Sequence, residues 1–183
     1  MAKQELQREA LLESVADHLL AHGLQGASLR PLAAAAGTSD RMLLYYFKDK
    51  RELMAEALLL IARRFITLLD ASRGEPMPAA QLLPMLAGMI GQPLVKPYMQ
   101  IWLELVALAS RGDETIQPAA RKICDAFLGW IGQALDIENK TERLAQAAVL
   151  FTFIEGLGVL DAVAGPELPA AAVKAARPLF DPA

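Results

Sequence analysis

SLRPLAAAAGTSDRMLLYYFKDKREL, residues 28–53, is the stretch whose reading decides the fold of this chain. Ser28 suits a helix N-cap, and Leu29, Leu32, Ala33 and Ala36 then recur on one face. Pro31 falls in the first turn, where the backbone N–H groups have no helical partner to lose. Gly37 ends this helix and makes a tight turn, and Ser39 caps a short helix predicted over residues 40–47. Asp49 and Glu52 form a D-x-x-E capping box that opens a further helix. A short helix presented by a turn is the layout that lays side chains in a DNA major groove.

Outward from this stretch the helical pattern continues in both directions. Upstream, Leu12, Val15, Ala16 and Leu19 predict a helix over residues 3–21, with Gly23 as its left-handed stop. Downstream, Leu53, Ala57, Leu60, Ile61, Phe65 and Leu68 carry one helix over residues 50–72, about 35 Å long. RGEPMP, residues 73–78, reads as the best boundary in the chain. Further helices are expected over residues 79–91, kinked at Pro84, then 97–111, 117–135, from Asn139 or Thr141 to 164, and 169–176. No segment shows the alternation of a strand, so the fold class is all-α.

Of the 183 residues, 54% are hydrophobic and 21% charged, enough for a sizeable core and unlike a disordered chain. The net charge of −3 is uneven: through Arg64 there are nine Lys/Arg against eight Asp/Glu, and beyond it nine against thirteen. A near-neutral head on an acidic body can still bind DNA where its cations face the groove, with modest non-specific affinity. Lys3, Glu5, Arg8 and Glu9 interrupt any signal-peptide pattern, and Glu155 and Asp161 break the most apolar run, leaving residues 144–154 uncharged. A single cysteine, Cys124, fits a reducing compartment. These features predict a soluble, cytoplasmic protein.

Nothing in the chain spells a reaction. His18 and His22 have metal-compatible spacing but no Cys, Asp or Glu cluster completes a site, and neither a phosphate-binding glycine loop nor a nucleophile elbow occurs. No catalytic residue, metal or cofactor is therefore expected.

Gly23, Ser28-Leu29-Arg30, Leu32-Ala33, Ala36-Gly37-Thr38-Ser39, Tyr46-Phe47, Lys50 and Leu53 together resemble the N-terminal domain of TetR-family transcriptional regulators. The resemblance covers residues 8–60, about a third of the chain. It implies a homodimer whose N-terminal heads read an operator and whose helical bodies dimerise and bind a small effector. The division expected is residues 1–49 for the helix-turn-helix head and 50–183 for the body. The candidate DNA contacts are Ser28 on phosphate and Arg30 on phosphate or a guanine edge; Thr38, Ser39, Asp40, Arg41 and Met42 at the start of the recognition helix; and Tyr45, Lys48 and Lys50. Arg41 suits a guanine edge and Met42 a thymine methyl, while Lys48 and Lys50 clamp phosphate. Lys50 aligns with the lysine of the family's pattern. Where the family usually has a phosphate-reaching tyrosine this chain has Leu44, so either Tyr45 takes over the contact from a neighbouring angle or the contact is missing. Asp40 repels phosphate unless it accepts from a cytosine amino group.

In the body, the helix over 141–164 is apolar nearly all round, a pattern buried on more than one face. Paired with the 117–135 helix and with their copies, it suits a two-fold four-helix bundle, in which Gly156 and Gly158 permit close approach. Met85, Met89, Tyr98, Met99, Trp102, Phe127 and Phe151 can line an adaptable cavity, with Glu104 and Glu155 orienting a polar or cationic group of a largely apolar effector. The same residues also suit ordinary core. The expectation is a ligand-responsive regulator, a repressor, on a pseudo-palindromic operator. Its rivals are a helical protein-interaction module that does not bind DNA and a small all-α enzyme.

Overall fold

The computed structural model describes residues 2–180, and every regular element among them is helical. In chain order these are α1 (Ala2–His22), α2 (Leu29–Ala35), α3 (Asp40–Tyr46), α4 (Lys50–Ser72), α5 (Ala79–Ile90), α6 (Lys96–Ser110), α7 (Gln117–Ala134), α8 (Lys140–Ala164) and α9 (Glu167–Ala176), then a 3-10 turn over Arg177–Phe180. The all-α expectation holds.

The chain packs as two compact units. The first comprises the residues up to Phe65 together with Gln100–Ile123; the second comprises Ile66–Met99 and the chain from Cys124 on. Helices α4, α6 and α7 thus each contribute to both.

In the first unit the apolar stripe of α1 (Leu12, Val15, Ala16, Leu19) is buried, as are Leu32, Leu43, Phe47 and Leu53. Leu29, expected among them, is only half-buried. Two ion-pair sets tie α1 to α4. Arg8 meets Glu56 at 2.5 Å, and Arg64 meets Glu13 and, at 2.7 Å, Asp17. These hydrogen bonds hold both arginines protonated more firmly than usual: for Arg8 the bond to Glu56 dominates, and for Arg64 the two carboxylates outweigh its partial desolvation.

In the second unit Leu82, Leu83, Leu150 and Leu157 are buried, and α8 packs on α5 and α9. Residues 73–78 do not separate the units. They lie within the second one, where Met77 pairs with residues 134–136: its N–H donates to the Ala134 carbonyl at 3.0 Å, and its carbonyl accepts from Asp136 N–H at 3.0 Å. Glycine and proline mark where a helix stops, and here the connecting backbone finds its hydrogen bonds across the unit. Trp130 Nε1 donates to Asp70 at 2.8 Å close by, with Arg73 over the indole ring at 5.6 Å.

Helix α9 starts at Glu167, two residues before Pro169, because a proline in the first turn costs no helical bond. Phe180 is then buried edge-on against Phe153, ring centroids 5.9 Å apart. By length and composition alone α8 is apolar enough to cross a membrane, a longer run than residues 144–154 suggest.

Candidate nucleic-acid interface

The turn between α2 and α3 is built by local chemistry. Gly37 adopts φ +62°, a left-handed value that a side chain disfavours. Its N–H donates to the Ala34 carbonyl at 3.1 Å, and Thr38 N–H donates to the Ala33 carbonyl at 2.9 Å, which closes α2. Ser39 then takes extended backbone angles, and its Oγ accepts from Met42 N–H at 3.3 Å, capping α3 as expected. Ser28 occupies the N-cap position of α2, but its side chain makes no cap hydrogen bond.

Seven residues long, α3 is anchored by Leu43, which is completely buried. Tyr46, one turn from Leu43, is half-buried, and the helix ends there with Phe47 as a buried C-cap outside it. The other five positions, Asp40, Arg41, Met42, Leu44 and Tyr45, are all exposed. Met42, Leu44 and Tyr45 expose apolar surface, with Tyr45 65% accessible and edge-on to Tyr46 at 5.1 Å between ring centroids. With Leu43 and Tyr46 turned inward, the five exposed positions span an arc of about 200° around the helix, a face broad enough to lie in a groove.

The start of α4 carries the two lysines. Asp49 Oδ1 accepts from Glu52 N–H at 2.8 Å, and Glu52 reaches back to accept from Lys48 N–H at 2.5 Å. The capping box is therefore present, displaced by one residue on its return arm. The Glu52 amide, with the Arg51 charge adding to it, holds the Asp49 carboxyl below the usual carboxylate range. Lys48 and Lys50 remain exposed on either side. Ser28, Arg30, Ser39, Asp40, Arg41, Met42, Tyr45, Lys48 and Lys50 are thus all exposed and Thr38 half so, in the one segment α2–turn–α3–α4.

Two residues that sequence reasoning missed hold this segment in place. Arg8 of α1 donates from Nε to the Tyr46 carbonyl at 3.2 Å and lies 4.6 Å from the Phe47 ring centroid while pairing with Glu56. One guanidinium thereby joins the C-terminal end of α3 to α4. Glu104 of α6 accepts from Leu24 N–H at 2.7 Å and Gln25 N–H at 3.2 Å, in the turn between α1 and α2. Local periodicity shows Arg8 as a solvated charge and Glu104 as an isolated carboxylate; no local signal names their partners.

Residues 11–57 match the model of the bacterial regulatory proteins of the tetR family. The match covers 47 of the 183 residues, so the likeness to that family is one of the N-terminal segment. HTH-type transcriptional regulator PksA of Bacillus subtilis (strain 168) is 22% identical over 161 residues, covering 85% of this chain and 78% of that protein. Among solved structures, a transcriptional regulator from Rhodococcus sp. Rha1 superposes with TM-score 0.73 at 21% identity, covering 94% of this chain and 95% of its own. The multidrug binding protein EbrR, complexed with imidazole, gives 0.65 at 20% identity and 97% of each chain. At these identities the two structures show that this chain shares their fold.

The residues proposed for an effector fall in both units of the chain. Trp102 and Glu104 belong to the first; Met85, Met89, Tyr98, Met99, Phe127, Phe151 and Glu155 belong to the second. Met89 is buried and the other eight are half-buried. Glu104 is engaged by the Leu24–Gln25 turn, a different task from orienting a ligand. Gly158 is buried, and a Cβ there would stand 2.8 Å from Met99 Cε; Gly156 faces open space.

None of the nine lines the open apolar groove of about 520 Å³ between α8 and α9, whose walls include Val149, Thr152, Phe153, Gly156, Leu160 and Ala172. Around it Leu144, Val149, Val159, Leu160, Val163 and Leu168 are exposed, whereas α7 exposes no large hydrophobic residue. The outward apolar face of the second unit is thus made by α8 with α9, where the sequence pointed to α8 with α7. The apolar faces of α7 are taken up by buried Ile123, Trp130 and Ile131.

Proposed function

We propose that this chain is a transcriptional regulator of the tetR type, a ligand-responsive repressor that binds a pseudo-palindromic operator as a homodimer in the cytoplasm. The observation that carries the reading is α3, with five of seven side chains exposed beside Arg30, Lys48 and Lys50. Arg41 and Met42 read base edges, Asp40 accepts from a cytosine amino group, and Ser28, Arg30, Ser39, Tyr45, Lys48 and Lys50 hold phosphates, with Thr38 at the helix entrance. Residues 1–49 serve DNA, and residues 50–183 serve effector and dimerisation. Function need not follow the packing units, since one helix can pack with the head and answer to the body.

The exposed apolar face of α8 and α9 supports pairing with a second copy, because water-exposed Val149, Leu160 and Val163 gain by burial. The packing of α8 on α5 and α9, together with the family's DNA-binding head, favours a core and interface helix over a membrane span. EbrR is a multidrug binding protein, which supports a small-molecule effector here; the Met and aromatic side chains around α5, α6 and α8 favour a largely apolar one. Effector binding acts through α4 on the separation of the two recognition helices, which must match major grooves about 34 Å apart.

Gel shift on the DNA upstream of the chain's own coding sequence, across a salt series, tests the reading. Affinity falls steeply with salt where phosphates are neutralised. A chain that leaves this DNA and random DNA unshifted at low salt is an interaction module, not a regulator.

A further inference from the structure

We infer that Glu104 is a positioning residue for DNA docking: from α6 it holds the turn that delivers α2, so that the placement of Ser28 and Arg30 follows α6. This deepens the DNA-binding reading above and rests on it.

Three observations converge on the turn. Helix α1 ends where Gly23 N–H donates to the Leu19 carbonyl at 2.8 Å, and Gly23 itself adopts φ +79°. A left-handed residue followed by successive N–H groups makes a concavity for an anion, and the next two amides, Leu24 and Gln25, both donate to Glu104 Oε2, at 2.7 and 3.2 Å. A Cβ at position 23 would lie 2.5 Å from Glu104 Oε1, so a side chain there would push the carboxylate off the turn, besides straining the backbone angle. The stop signal of α1 is therefore also the receptor of a carboxylate about eighty residues away.

Both ends of this link are firmly seated. On α6, Ile101 and Leu105 beside Glu104 are 3% and 1% exposed, so the carboxylate moves only with its helix. In the turn, Leu24 is buried, and Ala27 N–H and Ser28 N–H donate to the Leu24 and Gly26 carbonyls at 3.2 and 2.6 Å. These bonds leave little slack between the carboxylate's partners and the first residue of α2. Glu104 is also the one acidic residue of α6. The N-terminal residues of the same helix, up to Met99, belong to the second unit. Displacement of α6 consequently reaches the phosphate-binding candidates on α2 without passing through α4.

The test uses the full chain and a short duplex of upstream DNA that the wild-type protein protects from cleavage. Glu104→Ala is expected to weaken binding about tenfold, the scale of a lost charge-assisted hydrogen bond, at a temperature where both proteins are fully folded. Its salt dependence is expected to be shallower by about one phosphate contact. The loss caused by Arg30→Ala is expected to shrink in the Glu104→Ala background, whereas the loss caused by Arg41→Ala persists in full. Glu104→Gln, which keeps one acceptor oxygen, recovers part of the affinity and serves where the alanine variant fails to fold. Amide exchange at Leu24 and Gln25 is expected to accelerate in both variants without DNA. Unchanged exchange, or Arg30 and Glu104 losses that add in full, overturns the assignment and leaves Glu104 a structural cap. Failure of the wild-type chain to protect any duplex at low salt instead overturns the DNA-binding reading on which the assignment stands.

Discussion

Helix α3 and the outer face of α8 are both exposed, yet they are exposed in opposite chemical senses. On α3 the solvent meets Asp40, Arg41 and Tyr45 around a single buried leucine. On α8 it meets Val149, Val159, Leu160 and Val163, the last 83% accessible. The first surface is stable in water; the second gains only by excluding water. One molecule thus carries two surfaces of different physical kind, and the contacts proposed for them differ accordingly, one salt-dependent and directional, the other apolar and area-dependent.

The largest expected effect breaks the apolar side. Val149→Glu puts a charge on each copy of the proposed two-fold interface, and each buried unpaired charge costs several kcal/mol. Sedimentation is expected to show at least a thousandfold weaker association, with the wild type a dimer; a wild type that sediments as a monomer at every concentration removes the apolar side of the comparison. Next, Leu43→Ala withdraws the anchor of α3 and is expected to lower unfolding free energy by about 2–5 kcal/mol in denaturant titration, with DNA binding lost alongside. Arg41→Ala sharpens the polar side: discrimination is expected to relax at one base position by about 1–3 kcal/mol, read from a panel of single-base operator variants. Equal losses on operator and random DNA would remove Arg41 from base readout. Lys50→Ala is expected to weaken all sequences alike and to reduce the salt slope by about one.

The smallest effect is a pH dependence. The carboxyl of Asp49 is held low by the Glu52 amide, so its folded value lies below its unfolded one. Its contribution is therefore complete above the ordinary carboxylate range, near pH 4, and disappears as pH falls through the depressed folded value. Melting temperatures of the wild type and Asp49→Asn should converge in acid and separate toward neutrality; parallel curves would deny Asp49 this role.

Local chemistry makes the head legible in the sequence. Gly37, the Ser39 cap, the Asp49–Glu52 box and the apolar stripe ending at Ser72 act within a few residues, and each appears where the sequence puts it. What escapes such a reading is non-local. Arg8 meets the Tyr46 carbonyl across 38 residues and Glu104 meets Leu24 across 80. Residues 73–78 read as a boundary because their pairing partner is distant in the chain. The candidate effector residues are the least legible, since a methionine or an aromatic ring has the same periodicity whether it fills a core or lines a cavity.

The paired charges between α1 and α4 have a consequence that stability does not measure. Half-exposed ion pairs of this kind contribute little, about 0–1 kcal/mol each. Their order matters more: α1 offers a cation at Arg8 and then anions at Glu13 and Asp17, while α4 offers an anion at Glu56 and then a cation at Arg64. On both helices the groups lie about two turns apart. Sliding one helix along the other by that distance would bring Arg8 against Arg64 and leave the carboxylates stranded. The arrangement works as a key with one notch, admitting a single alignment of the two rods that carry the recognition helix.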